Sequence, residues 1–410
     1  MRCKIIIEDT NKMMDSKMNI RIQELKKFEE IKVILETNCF YNINAPMNWS
    51  ENTLWQSEAI FLSDSNGIVS LKNSPSKGGD YTGIRAMGLF ESLKAVTIVN
   101  KKHISELKNL PLNDVVSFRI SVLSNGKLLA KTTFNRFYKK YNINHYDILR
   151  DGWQGRLFYD EDKNKKPAII VLSGSEGGIE KAQNIAMMLS NQGFVTLAIS
   201  YFGMNNQKSS LDRIPLENLE EALKYLQKLT FVDSAKIGIY GRSKGAEYSL
   251  LFLTRHGGIK CAVLNSPSDR VYEGLRRKRN SKHSSWTYSG KEISYKPFKI
   301  KEFIINRLIK KSSIDDSGVM DIENVTCPLL LIASTKDEIW DSYSASINIM
   351  AKAKSYEKSI VLTTELGHMN TISYMPNPRY KRYKTDKIYD EAVLSWENTL
   401  SWFINHLKNI

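Results

Sequence analysis

No stretch of the 410 residues approaches the roughly 18 consecutive apolar residues of a membrane-spanning helix, so stable insertion into a bilayer is not expected. The opening "MRCKIIIEDTNKMMD" has only a three-isoleucine run followed by acids, unlike a secretory signal, and the closing "HLKNI" is neither a peroxisomal nor a retention tail. Cysteine is scarce. Cys3, Cys39, Cys261 and Cys327 are widely scattered, with neither a CxxC pair nor metal-like spacing. They read as reduced, mostly buried thiols, and a cytoplasmic location is the expectation. No zinc-finger or RRM-like signature occurs, so nucleic acid is not an expected partner. The Gly-rich "SGSEGG" at 173–178 lacks the GKS/T of a P-loop and the GxGxxG of a dinucleotide fold, and no cofactor or metal is expected.

What the chain does have is positive charge. The formal net charge is +15 with a pI near 9.4. Lysine is spread along the whole length, but Arg270 to Lys311 concentrates thirteen Lys or Arg against three Glu. A solvated basic face and a site attracting a polyanionic substrate both fit that stretch.

Hydrophobic residues at 42% and only 10 prolines describe an ordered globular chain, long enough for two domains. Residues 1–28 mix charged and apolar positions and remain unplaced. Residues 29–145 read as an immunoglobulin-like β-sandwich: "IKVILET", "LWQSEAIFLSD" and "VVSFRISVLSNGKLLAKTTF" are strand-like, the last a hairpin turning on Ser124-Asn125-Gly126. Residues 146–410 alternate strand and helix, which predicts a doubly wound, mostly parallel sheet of the α/β-hydrolase type. Within it, Leu216, Leu219, Leu223, Leu226 and Leu229 form one helical stripe.

Gly241-Arg242-Ser243-Lys244-Gly245 fits G-x-S-x-G, the turn that lifts a serine out of a strand and into a helix. A β-like "AKIGIYG" precedes it and a helical "KGAEYSLLFLTRH" follows, which is the setting the motif requires. A serine nucleophile needs a base, and the base an orienting acid, in the chain order Ser, acid, His. Six histidines make the search short. His103 and His145 precede the serine, His256 ends the helix after it, His283 lies in the basic stretch, and His406 sits in the last helix. His368, in the loop "LTTELGHMN" after a strand, is the candidate base. Asp337 in "KDEIWD" follows the strand "CPLLLIAST" directly and is the candidate acid, with Glu338 and Asp341 as competitors. The backbone N–H of Lys244 is one expected oxyanion donor, and Ser175 or Glu176 supplies the other through backbone.

With these residues in hand, the chain resembles the acyl-CoA thioesterase / bile acid-CoA:amino acid N-acyltransferase family from about residue 46 onward. The resemblance rests on "GGDYTGIRAMGLFESL", on "YFG" with "SLDRIPLENLEEAL", on "GRSKGAEYSL", on "TYSGKEI", and on "LGHMN" followed by tyrosine and prolines. It implies an N-terminal β-sandwich before an α/β-hydrolase domain, and Ser243, Asp337 and His368 as the triad. The N-acyltransferase branch resembles this motif with cysteine as nucleophile, so Ser243 points to hydrolysis of an acyl-CoA substrate. Transfer of the acyl group to an amine, hydrolysis of an ester without CoA as in carboxylesterases or dienelactone-type hydrolases, and a basic binding module without catalysis are the alternative readings. Arg242 departs from the small or apolar residue that precedes the nucleophile in the family.

Overall fold

The computed structural model describes every residue except 1–2, 9–10, 163, 277–278, 299–316, 371, 379–385 and 409–410. Two compact units interleave along the chain. Met1–His103, Leu112–Lys140 and Thr371–Val393 form one, and Ile104–Pro111, Tyr141–Asn370 and Leu394–Ile410 form the other.

Alternating hydrophobicity builds the first unit. Strands Glu30–Thr37, Leu54–Leu62, Val115–Ser124 and Lys127–Phe137 pair antiparallel in its larger sheet, joined by short strands at Gly78–Gly79 and Lys94–Thr97. The expected hairpin turns at Asn125 and Gly126, both with positive φ. The segment before residue 28 supplies Lys4–Ile7 and Ile20–Gln23, which pair with Val69–Ser70 in a second antiparallel sheet. One face of each sheet is apolar: Ile20, Ile22 and Val69, and Val33, Leu35, Phe61, Phe118 and Ile120, are all buried. Late chain completes this interior. The buried Asn42 amide donates to the Pro376 carbonyl at 2.9 Å, and the Tyr138 hydroxyl contacts Met375 Sδ at 3.7 Å.

The second unit is built on eight strands: β1 (Ile143–Leu149), β2 (Gln154–Asp160), β3 (Lys166–Leu172), β4 (Val195–Ser200), β5 (Val232–Arg242), β6 (Cys261–Asn265), β7 (Leu329–Ser334) and β8 (Lys358–Thr363). Their order in the sheet is β1-β2-β4-β3-β5-β6-β7-β8, and every pair except those made by β2 is parallel. Parallel strands covered on both faces need near-continuous apolar runs, and β4, β6 and β7 are buried at every position. Helices α1 (Glu180–Ser190), α2 (Glu217–Lys228), α3 (Lys244–Leu253), α4 (Ser342–Lys352) and α5 (Asp386–Leu407) complete the layers, the last from Leu394 onward. On α2 the leucine stripe faces inward: Leu219, Leu223 and Leu226 are buried, as is Leu216 just before the helix. This is the α/β-hydrolase fold, in which ligands meet the C-terminal ends of the strands.

Between β6 and β7 the chain leaves the sheet. Glu273–Arg276 and Arg279–Ser284 form an antiparallel pair, and Trp286–Tyr288 runs parallel to Ile214–Pro215. This insertion holds the basic stretch, of which Arg277, Lys278 and 299–311 lie outside the described residues. It is fastened to α3 by a buried polar cluster. Lys244 Nζ donates to Glu247 Oε1 at 2.9 Å and to Ser285 Oγ at 2.8 Å. The same carboxylate accepts from Trp286 Nε1 at 2.8 Å and from the Tyr272 amide at 3.1 Å. Trp286 in turn stacks on Tyr248, ring centres 4.3 Å apart. Burial pushes the Lys244 ammonium pKa down and the Glu247 carboxyl up, so each ion depends on the other for its charge. Glu247→Ala, which removes the carboxylate beside the Lys244 charge and the acceptor of two N–H groups, is expected to cost about 3–5 kcal/mol in urea unfolding. Glu247→Gln, which keeps an acceptor, should cost measurably less.

Candidate active site

Ser243 stands at the junction of β5 and α3 with φ 55° and ψ −122°. A non-glycine residue at positive φ carries strain of about 1–3 kcal/mol, held here by the packing of the two elements. A Cβ on Gly245 would lie 2.3 Å from the Ser173 carbonyl oxygen, and one on Gly241 would lie 2.5 Å from the Gly245 carbonyl oxygen. Only glycine permits that approach at either position. The Ser243 amide donates to the Asn265 carbonyl at 2.8 Å, while its own carbonyl accepts from Ala246 and Glu247 and starts the helix.

His368 Nε2 lies 2.8 Å from Ser243 Oγ, and His368 Nδ1 lies 2.9 Å from both carboxylate oxygens of Asp337. All three side chains are buried. Asp337 Oδ1 also accepts from the amides of Ile339 and Trp340 at 3.0 and 3.2 Å. Burial alone would push the Asp337 carboxyl up; the His368 charge, with hydrogen bonds from His368, Ser342 and Ile339, outweighs it and holds the carboxyl below its ordinary value. The two competing acids have other partners. Glu338 accepts from the His368 amide at 3.0 Å and pins the loop rather than the ring, and Asp341 caps α4 by accepting from the Ser344 amide at 2.9 Å. Ser266 Oγ donates to the His368 carbonyl at 3.0 Å, and Trp340 sets its indole edge-on to the imidazole at 5.1 Å. The remaining candidates are occupied elsewhere: His283 pairs with Glu292, His406 with Glu357, and His256 stacks on Phe252.

The Gly-rich loop after β3 runs alongside the serine, close enough that a Cβ on Gly174 would sit 3.1 Å from Ser243 Cβ. The Tyr201 hydroxyl props this loop by donating to the carbonyls of Ser173 and Gly174, both at 2.9 Å. Glu176 folds back over the loop and meets Arg242, with Oε1 2.5 Å from Nη2. Arg242 is 1% exposed and also contacts Met369 Sδ at 3.6 Å. One guanidinium therefore touches the loop beside the serine and the residue after the imidazole. Nothing in the sequence pairs positions 176 and 242; only the unusual arginine inside the elbow motif hinted at a partner. Among the described residues, no group of three or more His, Cys, Asp or Glu could hold a metal ion, and no helix is long and apolar enough to cross a membrane.

Comparison with known proteins adds an independent observation. Residues 15–149 match the family described as acyl-CoA thioester hydrolase/BAAT N-terminal region, and residues 214–409 match BAAT / acyl-CoA thioester hydrolase C terminal. The chain belongs to the acyl-CoA thioester hydrolase/BAAT family. Among its curated members, mouse acyl-coenzyme A amino acid N-acyltransferase 1 is 28% identical over 61% of this chain, a match that spans 58% of that relative's own length. Mouse acyl-coenzyme A thioesterase 5 is 25% identical over 87% of this chain and 88% of its own. Of solved structures, the 2,6-dihydroxy-pseudo-oxynicotine hydrolase aligns with a TM-score of 0.44 at 12% identity, over 65% of this chain and 68% of that one.

Within this family member, Glu176 gives the site a pH signature. Burial would raise its carboxyl above the ordinary value of 4.5, but the charges of Arg242 and Lys181 and the amides of Glu176 and Gly174 hold it down to about 2. A depressed carboxyl contributes stability that is full above the unfolded value and is lost as pH falls through the folded one. Glu176→Gln is therefore expected to cost on the order of 2–3 kcal/mol at pH 6, a difference that shrinks steadily between pH 4.5 and pH 2. Thermal unfolding of both proteins across that range checks it; a difference independent of pH would contradict the assignment.

Proposed function

We propose that this chain is a serine hydrolase that cleaves acyl-CoA thioesters to the free acid and CoA. The observation that carries the reading is the buried relay from Ser243 Oγ through His368 to Asp337, each step within 2.9 Å. In the first half-reaction His368 Nε2 takes the hydroxyl proton while Ser243 Oγ bonds to the thioester carbonyl carbon. Asp337 fixes the imidazole with Nδ1–H toward itself and stabilises the imidazolium that results. The tetrahedral oxyanion is met by the Lys244 amide and by the loop after β3. Of the two candidates there, the Glu176 amide faces its own carboxylate, whereas no hydrogen bond engages the Ser175 amide among the described residues, which favours Ser175. The C–S bond then breaks, the CoA sulfur leaves with the imidazolium proton, and the acyl group remains on Ser243. Water, deprotonated by His368, attacks the ester, and the acid is released with Ser243 and His368 restored.

Serine at position 243 supports hydrolysis, and the relatives named thioesterases agree with it. The relatives named N-acyltransferases favour a second reading, in which an amine replaces water in the last step. Four free cysteines, without a disulfide among them, support a reducing compartment and hence the cytoplasm.

The deciding experiment measures free CoA released from short, long and steroid acyl-CoAs, with and without glycine or taurine. Wild type should release CoA without an amine present, Ser243→Ala should lower kcat by about 10⁶-fold, and Asp337→Asn should lower it by about 10⁴-fold. Release that appears only with the amine, as a conjugate, would establish the transferase reading instead. No release from any thioester would sink both.

A further inference from the structure

A cavity of about 560 Å³ opens between the loop after β4 and the insertion that follows β6, lined by Lys208, Ser209, Ser210, Asp212, Arg213 and Arg276. Three of these six side chains are cations, two carry hydroxyls, and none is apolar. A fatty or steroid acyl group has nothing to gain there. A phosphate ester finds donors of the kind it binds best, because a planar guanidinium presents paired N–H groups to anionic oxygens.

Asp212 is 3% exposed and sits between the two arginines, 3.6 Å from Arg213 Nε and 3.4 Å from Arg276 Nη2. At these ion-pair separations, longer than hydrogen bonds, one carboxylate neutralises only one of three positive charges. Lys208 Nζ donates to the Arg213 carbonyl at 2.7 Å and to the Asp212 carbonyl at 3.4 Å, so its position is set by main chain. Burial and the neighbouring Arg213 charge push the Lys208 ammonium pKa down, a cost that an incoming anion would relieve. The nearby carboxylate of Glu292 is already taken by His283 Nδ1 at 2.9 Å and the Ser284 amide at 3.1 Å.

The cavity is tied to the reacting serine by short links. Leu211 and Leu275 exchange main-chain hydrogen bonds of 3.0 and 2.8 Å, which fixes Arg276 opposite Asp212. The Arg213 amide donates to Ser284, and the hydroxyl of the next residue, Ser285, accepts from Lys244, the neighbour of Ser243. A CoA thioester calls for such an offset: its phosphates are separated from the sulfur by the whole pantetheine arm, so a phosphate site belongs beside the serine and not upon it.

We propose that Lys208, Arg213 and Arg276 form the subsite that binds the phosphate groups of the CoA leaving group. The inference rests on the thioesterase reading above and says where that substrate's charge is recognised. The test compares one acyl group carried on CoA and on the phosphate-free thiol N-acetylcysteamine, in wild type and in the double variant Arg213→Gln, Arg276→Gln. In wild type the CoA ester should have the higher kcat/KM. In the variant that preference should fall by about tenfold or more, chiefly through KM for the CoA ester. Two activities that fall together, or a preference that does not change, would overturn the subsite, since a merely structural role moves both substrates alike.

Calorimetric titration with 3′,5′-ADP separates the two readings. Binding to wild type that the variant loses supports the subsite even if no acyl-CoA is cleaved, in which case it is the thioesterase reading that fails. Absence of 3′,5′-ADP binding overturns the subsite while leaving thioester cleavage standing. Inorganic phosphate that binds as tightly as 3′,5′-ADP would reassign the cavity to free phosphate.

Discussion

The close approach of β5 to α3 at Ser243 is the constraint on which the second unit's chemistry depends. It is paid for by two glycines and one strained serine, and it returns three things at once. The hydroxyl is held clear of the sheet, the first free amide of α3 lies beside it, and the loop after β3 is brought against the same spot by contact between Gly245 and Ser173. Loosening that junction would disturb all three together. The strain is small beside the several kcal/mol that preorganised donors supply to a charge developing in the transition state.

Around the junction the acids divide their work by geometry rather than by type. Asp337, Glu338 and Asp341 lie within five residues of one another, yet one faces the imidazole ring, one the imidazole's backbone and one the start of α4. The loop after β7 is thus compact, with each carboxylate restraining a different part of the imidazole or of its scaffold. Arg242 adds a fourth restraint from the far side. Its charge is neutralised by Glu176 and its stem is buried, so the residue that breaks the apolar pattern of the elbow serves as a brace between two loops.

Much of this is legible in the sequence alone. The parallel strands announce themselves as apolar runs because both of their faces are covered; chain order removes two of the six histidines, and the loop setting after a strand singles out His368, which stands 2.8 Å from Ser243. The strands at Lys4–Ile7 and Ile20–Gln23 were not legible, being four residues each and too short for an alternating pattern to rise above their charged neighbours. The Glu273–Arg276 and Arg279–Ser284 pair was hidden in the same way, its β pattern masked by the concentration of lysine and arginine. The partnership of Glu176 with Arg242 spans 66 positions, and a single chain carries no signal that links two such residues. Likewise the basic stretch advertised charge without saying where it gathers; among the described residues the cavity takes Arg276 from it, and its other two cations come from the loop after β4.

The interleaving of the two units bears on how the chain matures as it is made. All described strands of the first unit have been synthesised once residue 137 emerges, but Asn42 then still lacks the carbonyl of Pro376, which lies 334 residues further on. A buried amide without its acceptor is a standing penalty of about 1–3 kcal/mol, so the nascent first unit stays incomplete through most of translation. The last piece of the amino-terminal unit, Thr371–Val393, follows the loop bearing His368 in the chain, and both are made late.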